Sequence, residues 1–419
     1  MNLPTQPYKG SRDFYPEDKR VQKYMFGVLR EVVGSYGYQE YDAPILEPFE
    51  VYAAKTGEEI VSEQLYSFED KGGRKVAIRP EMTPSVSRMV AGRRQELAYP
   101  LRWYSIPNLW RYERPQRGRL REHWQLNVDL FGVEGLEGDM EIIQVADSIL
   151  TSFGAQRRDY QIRVNSRARM QNLFDELSLS DDERKLVTGL IDKKSKIDAA
   201  EFEQMFRDKL DENKAAQLLA YLNDSTEPDG IAELVRGLKD IGVENVSYDR
   251  SIVRGLDYYT DIVFEVYDTD PENNRSMFGG GRYDGLVGLF GVEPVPTVGF
   301  GMGDVTLQNF LVSHGLLKSK ELALETDAAV ILIGDIYGEA QKPLGELRAQ
   351  GVRLAVDSSG RKLDAQIKNA VKSGVKYAIF IGEKELADNI YKLRDLEKGE
   401  EKALSLEQIA STLNVRRTE

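Results

Sequence analysis

The segment Trp110-Arg111-Tyr112-Glu113-Arg114-Pro115, a loop to Arg121, and then Glu122-His123-Trp124-Gln125-Leu126-Asn127-Val128-Asp129 decides how this chain is read. Polar and apolar residues alternate through its second half. Gln125, Asn127 and Asp129 therefore share one face of a strand, and Leu126, Val128 and Leu130 share the other. Such a polar face is either solvated or the floor of a pocket. The arginines favour the pocket. Between Arg102 and Arg121 there are six, at 102, 111, 114, 117, 119 and 121, against one acid, Glu113. A solvated charged face needs helical or alternating spacing, whereas this run contains Pro107, Pro115 and Gly118 and is flanked by aromatics. A strand–loop–strand with an anion site fits better, because the planar arginine fork suits phosphate oxygens.

Toward the N-terminus, Pro16-Glu17-Asp18 opens a helix, since proline suits a first turn and acids suit the positive helix end. Val21, Tyr24, Met25, Val28 and Val32 give that helix one buried stripe, and Gly34 and Gly37 stop it. Tyr38–Leu46 follows as a strand whose Pro44 belongs at an edge or an interface. Helix and strand together read as a dimer-forming unit. Further strands are expected at Gln64–Glu69, Lys75–Arg79, Trp103–Arg111, His123–Phe131 and Tyr160–Asn165, with a helix at Asp139–Phe153. From Leu177 to Leu238 the chain is rich in Lys, Glu, Asp, Ala and Leu and poor in aromatics, which reads as inserted small helices. Strand-rich sequence resumes from Val246 to Val305. Beyond a polar link at Lys318–Thr326, apolar strands at Ala328–Ile333, Arg353–Val356 and Tyr377–Ile381 alternate with helices at Gly338–Gln350 and Lys362–Ser373. That alternation indicates a separate α/β domain with a parallel or mixed sheet.

Three more segments carry candidate chemistry. Arg79-Pro80-Glu81-Met82-Thr83-Pro84 places a carboxylate and a hydroxyl two residues apart, where both can face one ligand amino group. It reads equally as a helix start, with Thr83 as cap and Pro84 in the first turn. Val253-Arg254-Gly255-Leu256-Asp257-Tyr258-Tyr259-Thr260 precedes Phe278-Gly279-Gly280-Gly281-Arg282-Tyr283-Asp284-Gly285. Three successive glycines beside Arg and Tyr suggest backbone brought close to a ligand, although a flexible turn also uses them. In Gly299-Phe300-Gly301-Met302-Gly303, glycines at spacing two clear one strand face, as a flat ligand such as adenine requires. Close structural packing is the alternative.

Composition sets the bounds. At 419 residues, with roughly 150 residues per domain, two to four domains are expected. An apolar fraction of 41% and a charged fraction of 30% belong to soluble globular chains. No apolar run approaches the ~18 residues of a membrane span, and Met1–Arg12 has no signal-peptide core. The chain has no cysteine and only two histidines, His123 and His314, so thiolate chemistry and a histidine-based metal site are not expected. A cytoplasmic location follows. The net charge of −13 would by itself argue against a nucleic-acid partner, but the clustering of basic residues overrides it.

Taken in order, these segments resemble the histidyl-tRNA synthetase family over essentially the whole chain. Trp110–Gly132 resembles motif 2 of class II synthetases, and the first helix with its Pro44 strand resembles motif 1. Arg254–Tyr259 and Gly279–Leu286 resemble two signatures peculiar to the histidine enzymes. The resemblance implies an α+β fold: an antiparallel-sheet catalytic domain over 1–176 and 241–320, a helical insertion over 177–240, and a C-terminal α/β anticodon-binding domain over 327–419. It implies that histidine and ATP give histidyl-adenylate, and that histidine then passes to the 3′ end of tRNA(His). ATP is the co-substrate with Mg²⁺, the assembly is a homodimer, and no membrane is involved.

By position, Glu81 and Thr83 would hold the α-amino group, with Met82 and Tyr258 lining the same site. Arg111 would grip the α-phosphate, and Gln125 would orient the amino acid. Asp129 and Tyr259 would read the imidazole. Arg254 would sit between the attacking carboxylate and the α-phosphate, making Arg254 and Arg111 the catalytic pair. Glu113, Arg119, Arg121, Gly301 and Gly303 would complete the ATP site. Two positions depart from the family pattern. Asp129 stands where glutamate is common, and Val305-Thr306 stands where motif 3 ends in Glu-Arg, so the γ-phosphate lacks its usual arginine. The other relative sharing this fold is the non-catalytic histidine-sensing regulatory subunit of ATP phosphoribosyltransferase. It usually lacks the anticodon-binding domain that this chain keeps.

Overall fold

Glu122–Phe131 forms a ten-residue strand, as its alternation requires. In this computed structural model the described residues are 3–53, 60–116, 118–191, 197–224, 226–252, 258–273, 276–317, 322 and 324–418. The chain divides into two compact units, Met1–Glu321 and Leu322–Glu419.

In the first unit the strand sits within a nine-stranded sheet. Its members run in the order Gln39–Glu40, Leu101–Ser105, Glu122–Phe131, Thr297–Gly303, Ser276–Arg282, Ile262–Asp268, Tyr160–Ser166 and Val246–Tyr248, and Asn108–Trp110 pairs with the start of the ten-residue strand. Pairing is antiparallel except at the two ends, where Gln39–Glu40 and Val246–Tyr248 each lie parallel to a neighbour. The expected antiparallel sheet is therefore present. Leu126, Val128, Leu130, Phe264, Phe278 and Phe300 bury on one face against helices Pro16–Ser35, Leu136–Ser152, Asp229–Asp240 and Asp304–Ser313. Each such side chain contributes about 1.5–3 kcal/mol.

Several elements differ from expectation for identifiable reasons. Gly34 lies inside the first helix; the stop is Gly37, whose φ of +81° only glycine adopts readily. The deepest residues of that helix are Met25, Leu29, Val32 and Val33, with Val21, Tyr24 and Val28 half-buried at its flank. Tyr38–Leu46 is not continuous strand. Gln39–Glu40 joins the large sheet, and Leu46–Pro48 joins a three-stranded sheet with Lys75–Ile78 and Ser67–Glu69. Between them Pro44 has no N–H to give, and the buried Arg79 takes the carboxylate of Asp42 and the carbonyl of Ala43 at 2.8 and 2.6 Å. The strand expected at Gln64–Glu69 begins only at Ser67, after a π-helical turn at Ile60–Gln64. The strand expected at Trp103–Arg111 is split at Ile106-Pro107.

Helices Arg167–Glu176, Asp181–Ile191, Ala199–Lys209 and Glu212–Asn223 share a small core of their own, including Phe174, Val187, Phe206 and Leu218. Asp198 and Asp211 cap two of them by accepting backbone N–H groups. Helix Asp229–Asp240 instead buries Ile231, Leu234, Val235 and Leu238 in the core of the large sheet.

The second unit is a five-stranded mixed sheet in the order Leu354–Asp357, Ala328–Ile333, Tyr377–Gly382, Tyr391–Asp395 and Glu401–Leu404. The first three strands are parallel and the last two add antiparallel. That last pair was not expected, because its polar residues hide the strand pattern. Gln366 of helix Leu363–Lys372 bonds both the N–H and the carbonyl of Leu332, fastening the helix to the sheet.

Arg282 fastens the first unit. Its guanidinium donates to the carbonyls of Val133 and Gly135 and to Asp139 at 2.9, 3.0 and 2.5 Å. Burial pushes Asp139 up to about 6, against the pull of Arg282. Removing one partner of a buried pair costs about 3–5 kcal/mol. Arg282→Met should lower the unfolding free energy of this unit by that amount. The measurement is denaturation followed by tryptophan fluorescence, since Trp103, Trp110 and Trp124 all lie in the first unit; a loss below about 1 kcal/mol would contradict it.

Candidate active site

On the face of the large sheet opposite the core, the middle strands are polar or bare, between Trp103 on one side and Val263 on the other. Strand register sets Trp103 beside Asp129 and Ser105 beside Asn127 on one side. On the other side Gly299, Gly301 and Gly303 lie opposite Asp129, Asn127 and Gln125. Gly281 and Gly279 come next, opposite Gly299 and Gly301. Asn127 and Asp129 are each only 3% exposed, so this polar face is a buried floor and not a solvated one.

The glycines have separate reasons. A Cβ on Gly299 would meet the carbonyl of Val128 and the Asp129 carboxylate, and one on Gly301 would meet the amide of Gln125. Gly301 is bare so that Gln125 can lean across the neighbouring strand, whereas at Gly299 both the backbone carbonyl of Val128, 2.5 Å from such a Cβ, and the Asp129 carboxylate exclude a side chain. A Cβ on Gly280 or Gly281 would strike backbone of Gly299 and Phe300 or of Ile262 and Val263. Strand packing, and not a ligand, demands those two glycines.

At one end of the floor lies an acid and phenol cluster. Tyr283 donates to one oxygen of Asp129, and Tyr41 donates to the other at 3.4 Å. Burial pushes Asp129 up to about 7, and the two hydroxyls oppose that push. Glu81, 2% exposed, accepts from the Tyr258 hydroxyl at 3.1 Å, and that hydroxyl also reaches Thr83 at 3.5 Å. Thr83 begins helix Thr83–Gly92, with Met82 at its cap position and fully buried. The rings of Tyr258, Tyr259 and Tyr283 pack together, at centroid distances of 4.9 Å for the first two and 5.5 Å between Tyr258 and Tyr283.

At the other end lies the arginine loop. Arg111 donates to the Pro80 carbonyl at 2.9 Å, which links this loop to the Glu81 segment. Arg121 is anchored by the Glu113 carbonyl and the Tyr8 hydroxyl, and its guanidinium stacks 3.9 Å from the Tyr112 ring centroid. Arg119 is exposed, and a Cβ added to its neighbour Gly118 would come within ordinary contact, 3.6 Å, of the methyl of Thr306. His123 is pushed down to about 3, first by burial and then by Arg111 and Arg12. It is neutral at neutral pH and is no general acid there. Arg254 and Asp257, and the loop residue Arg117, fall outside the described residues.

The structure thus brings together Glu81, Met82, Thr83, Gln125, Asp129, Tyr258, Tyr259, Gly301 and Gly303 around one floor, with Arg111 tied to the Glu81 segment through the Pro80 carbonyl. Three participants escaped sequence reasoning: Tyr283, quoted in its motif but given no role, Tyr41 and Arg12. Tyr41 reaches Asp129 only because Gln39–Glu40 pairs with Leu101–Ser105, although its alternation with Gln39 was a usable signal. Arg12 donates to Asp304 at 2.7 Å across 292 positions of sequence, for which no local signal exists. Chemically, the cluster of buried carboxylates and phenols suits a ligand carrying N–H donors, and the arginines suit an anion at its far end.

A family model described as Histidyl-tRNA synthetase matches residues 10–305, and one described as Anticodon binding domain matches residues 327–416. The chain belongs to the histidyl-tRNA synthetase family. Among curated family members, the histidine–tRNA ligase of Leptospira biflexa is 44% identical over 413 residues, covering 94% of each chain. That of Thermoplasma volcanium is 39% identical over 416 residues, covering 95% of this chain and 96% of its own. The crystal structure of histidyl-tRNA synthetase from Nostoc sp. PCC 7120 superposes with a TM-score of 0.79 at 22% identity, covering 99% of this chain and all of that one. At that identity the likeness concerns the fold.

The two kinds of glycine separate in their substitutions. Gly280→Ala collides with backbone and should cost about 1–3 kcal/mol of stability. Gly301→Ala displaces only the end of Gln125, so the protein should fold with near-native stability while the histidine KM rises about tenfold, one hydrogen bond's worth. Thermal unfolding and steady-state kinetics on the two variants distinguish them; equal stability losses would refute the assignment.

Proposed function

We infer that the chain is a histidine–tRNA ligase, which activates L-histidine with ATP to histidyl-adenylate and transfers it to the 3′ end of tRNA(His). The reading is carried by the continuous floor from the Asp129–Tyr283 pair to the Arg111 loop. It offers N–H acceptors at one end and an anion site at the other, as an amino acid joined to a nucleotide needs.

In this proposal Glu81 and Thr83 take the α-amino group, Asp129 and Tyr259 take the imidazole, and Gln125 orients the amino acid between them. A carboxylate oxygen of histidine attacks the α-phosphorus, the α–β anhydride bond breaks, and pyrophosphate leaves. Arg111 neutralises the α-phosphate, and Arg254 bridges carboxylate and phosphate. A terminal ribose hydroxyl of tRNA then attacks the histidyl carbonyl carbon, and AMP departs. Such chemistry depends on positioning and charge neutralisation. Unpaired buried acceptors would reject apolar isosteres of histidine by roughly 10⁴.

Mg²⁺ belongs to the proposal as a passenger on the nucleotide. Among the described residues no group of three acidic or histidine side chains could hold a metal, whereas Mg²⁺ on a triphosphate needs only one or two carboxylates. Bound there, it would offset phosphate charge, with Glu113 as a candidate carboxylate to hold it. Arg119 and Arg121 supply cations for the γ-phosphate in place of the missing motif 3 arginine. Arg119 is the freer of the two, since Arg121 is held by Tyr8 and Glu113, and its loop passes near Thr306, where a side chain at position 118 would just reach the Thr306 methyl. The catalytic domain over 1–176 and 241–320, the insertion over 177–240 and the anticodon-binding domain over 327–419 remain the proposed division. A homodimer in the cytoplasm completes the reading. Exposed Ile45, Leu46 and Phe68 beside and on the three-stranded sheet suit a dimer face, and no described helix is long and apolar enough to cross a membrane.

ATP–pyrophosphate exchange across a panel of amino acids tests this function. Exchange should require histidine and Mg²⁺, and Arg119→Ala should raise the ATP KM at least tenfold with little change for histidine. Histidine binding without exchange under any condition would instead mark a histidine sensor.

A further inference from the structure

Asp129 is a short, buried carboxylate that must present a defined edge to its ligand. Tyr283 secures only one of its oxygens. Rotation of a carboxylate about its last torsion is soft, so one donor does not fix the plane. The second oxygen is met by Tyr41, 3.4 Å away, which arrives from a different part of the chain.

Tyr41 is itself held firmly. Its backbone N–H bonds Tyr104 at 2.8 Å, and its ring lies 5.7 Å from that of Trp103, the register partner of Asp129. Burial, and then the charge of Asp129, keep its phenol well above the usual range, so it remains a donor. We propose that Tyr41 is a positioning and specificity-determining residue, whose hydroxyl holds the second oxygen of Asp129 so that the carboxylate edge stays aimed at an imidazole N–H. The proposal rests on the reading of Asp129 as the imidazole acceptor.

The groups facing Asp129 agree with this role. Tyr41 approaches from the segment after the first helix, and Tyr283 from beyond strand Ser276–Arg282, with Tyr258 behind it. Tyr38 lies in the core and donates to Glu141 at 2.9 Å, with Asp129 acting on it only through its charge. The register partners Trp103 and Gly299 carry no charge. Asp42, next to Tyr41, is engaged by Arg79. Asp129 titrates near neutrality, at about 7, and the two phenols are what hold it down against burial. Loss of one phenol therefore raises it further. Near pH 7 more of the carboxylate is then protonated, and a protonated edge accepts less well.

The test compares Tyr41→Phe and Asp129→Asn with the native protein by pyrophosphate exchange from pH 6 to pH 9, so that titration of histidine itself cancels. Tyr41→Phe keeps the ring that packs on Trp103. It should raise the histidine KM about tenfold at pH 7 and leave the ATP KM unchanged. The acid limb of kcat/KM for histidine should move to higher pH, and most of the loss should be recovered by pH 9. Asp129→Asn should lose histidine binding with no recovery at any pH. If Asp129→Asn uses histidine like the native protein, the imidazole reading fails, and this proposal with it. If Asp129→Asn is impaired but Tyr41→Phe keeps the native KM and acid limb, the positioning role alone fails. A Tyr41→Phe defect that is equal at every pH and shared by ATP would also overturn it, since that is the mark of general packing.

Discussion

From Leu126 to Phe131 the strand Glu122–Phe131 is buried on both faces, and only one of them is apolar. Leu126, Val128 and Leu130 join the core, while Asn127 and Asp129 are shut away from water on the other side. Burying a polar group costs several kcal/mol unless it finds a partner, and burying a charge costs more. The rest of the first unit is arranged to meet that demand. Gly299 and Gly301 leave room for the leaning side chains, Tyr283 and Tyr41 bond the carboxylate, and the amide of Gln125 bonds that of Asn127 at 2.7 Å. The partners do not remove the whole penalty: Asp129 still sits near 7, so part of the cost of its charge remains until a ligand donor arrives. A site that binds an N–H-bearing ring gains affinity by relieving that cost.

Two fasteners convert this local demand into a rigid frame. Arg282 leaves the sheet on the core side and ties strand Ser276–Arg282 to the first turn of helix Leu136–Ser152. The next residue, Tyr283, is therefore held in register with Asp129. At the other end, Arg111 bonds the Pro80 carbonyl, so the arginine loop and the Glu81 segment move together. These two contacts tie the acidic and the basic ends of the floor to the same frame. A reaction that joins a carboxylate to a phosphate gains most from such fixed spacing.

Much of this was legible in sequence where chemistry is local. The alternation of Gln125, Asn127 and Asp129 identified the floor, and the glycines at spacing two identified the strand beside it. The α/β alternation beyond Asp327 identified the second sheet, except for Tyr391–Asp395 and Glu401–Leu404, whose polar surface residues conceal their pairing. What sequence withheld depends on contacts between distant segments. Nothing near Arg12 points to Asp304, and nothing near Tyr41 points to Asp129 beyond a two-residue alternation. Gly280 and Gly281 carried a signal whose cause was misread, because a close strand and a close ligand demand the same missing Cβ. Helix Asp229–Asp240 has the composition of the insertion before it, yet its apolar stripe faces the large sheet.

The central claim is that one floor takes both histidine and the nucleotide, in a fixed order along a single strand. A crystal structure with a non-hydrolysable histidyl-adenylate analogue tests it most directly. The imidazole should lie within hydrogen-bond distance of Asp129, about 2.7–3.2 Å, with the α-amino group at Glu81 and Thr83 and the adenylate beyond Gln125 toward Gly301, Gly303 and Arg111. An analogue bound with its imidazole away from Asp129, or with its phosphate-mimicking end at the tyrosine cluster, would contradict the account.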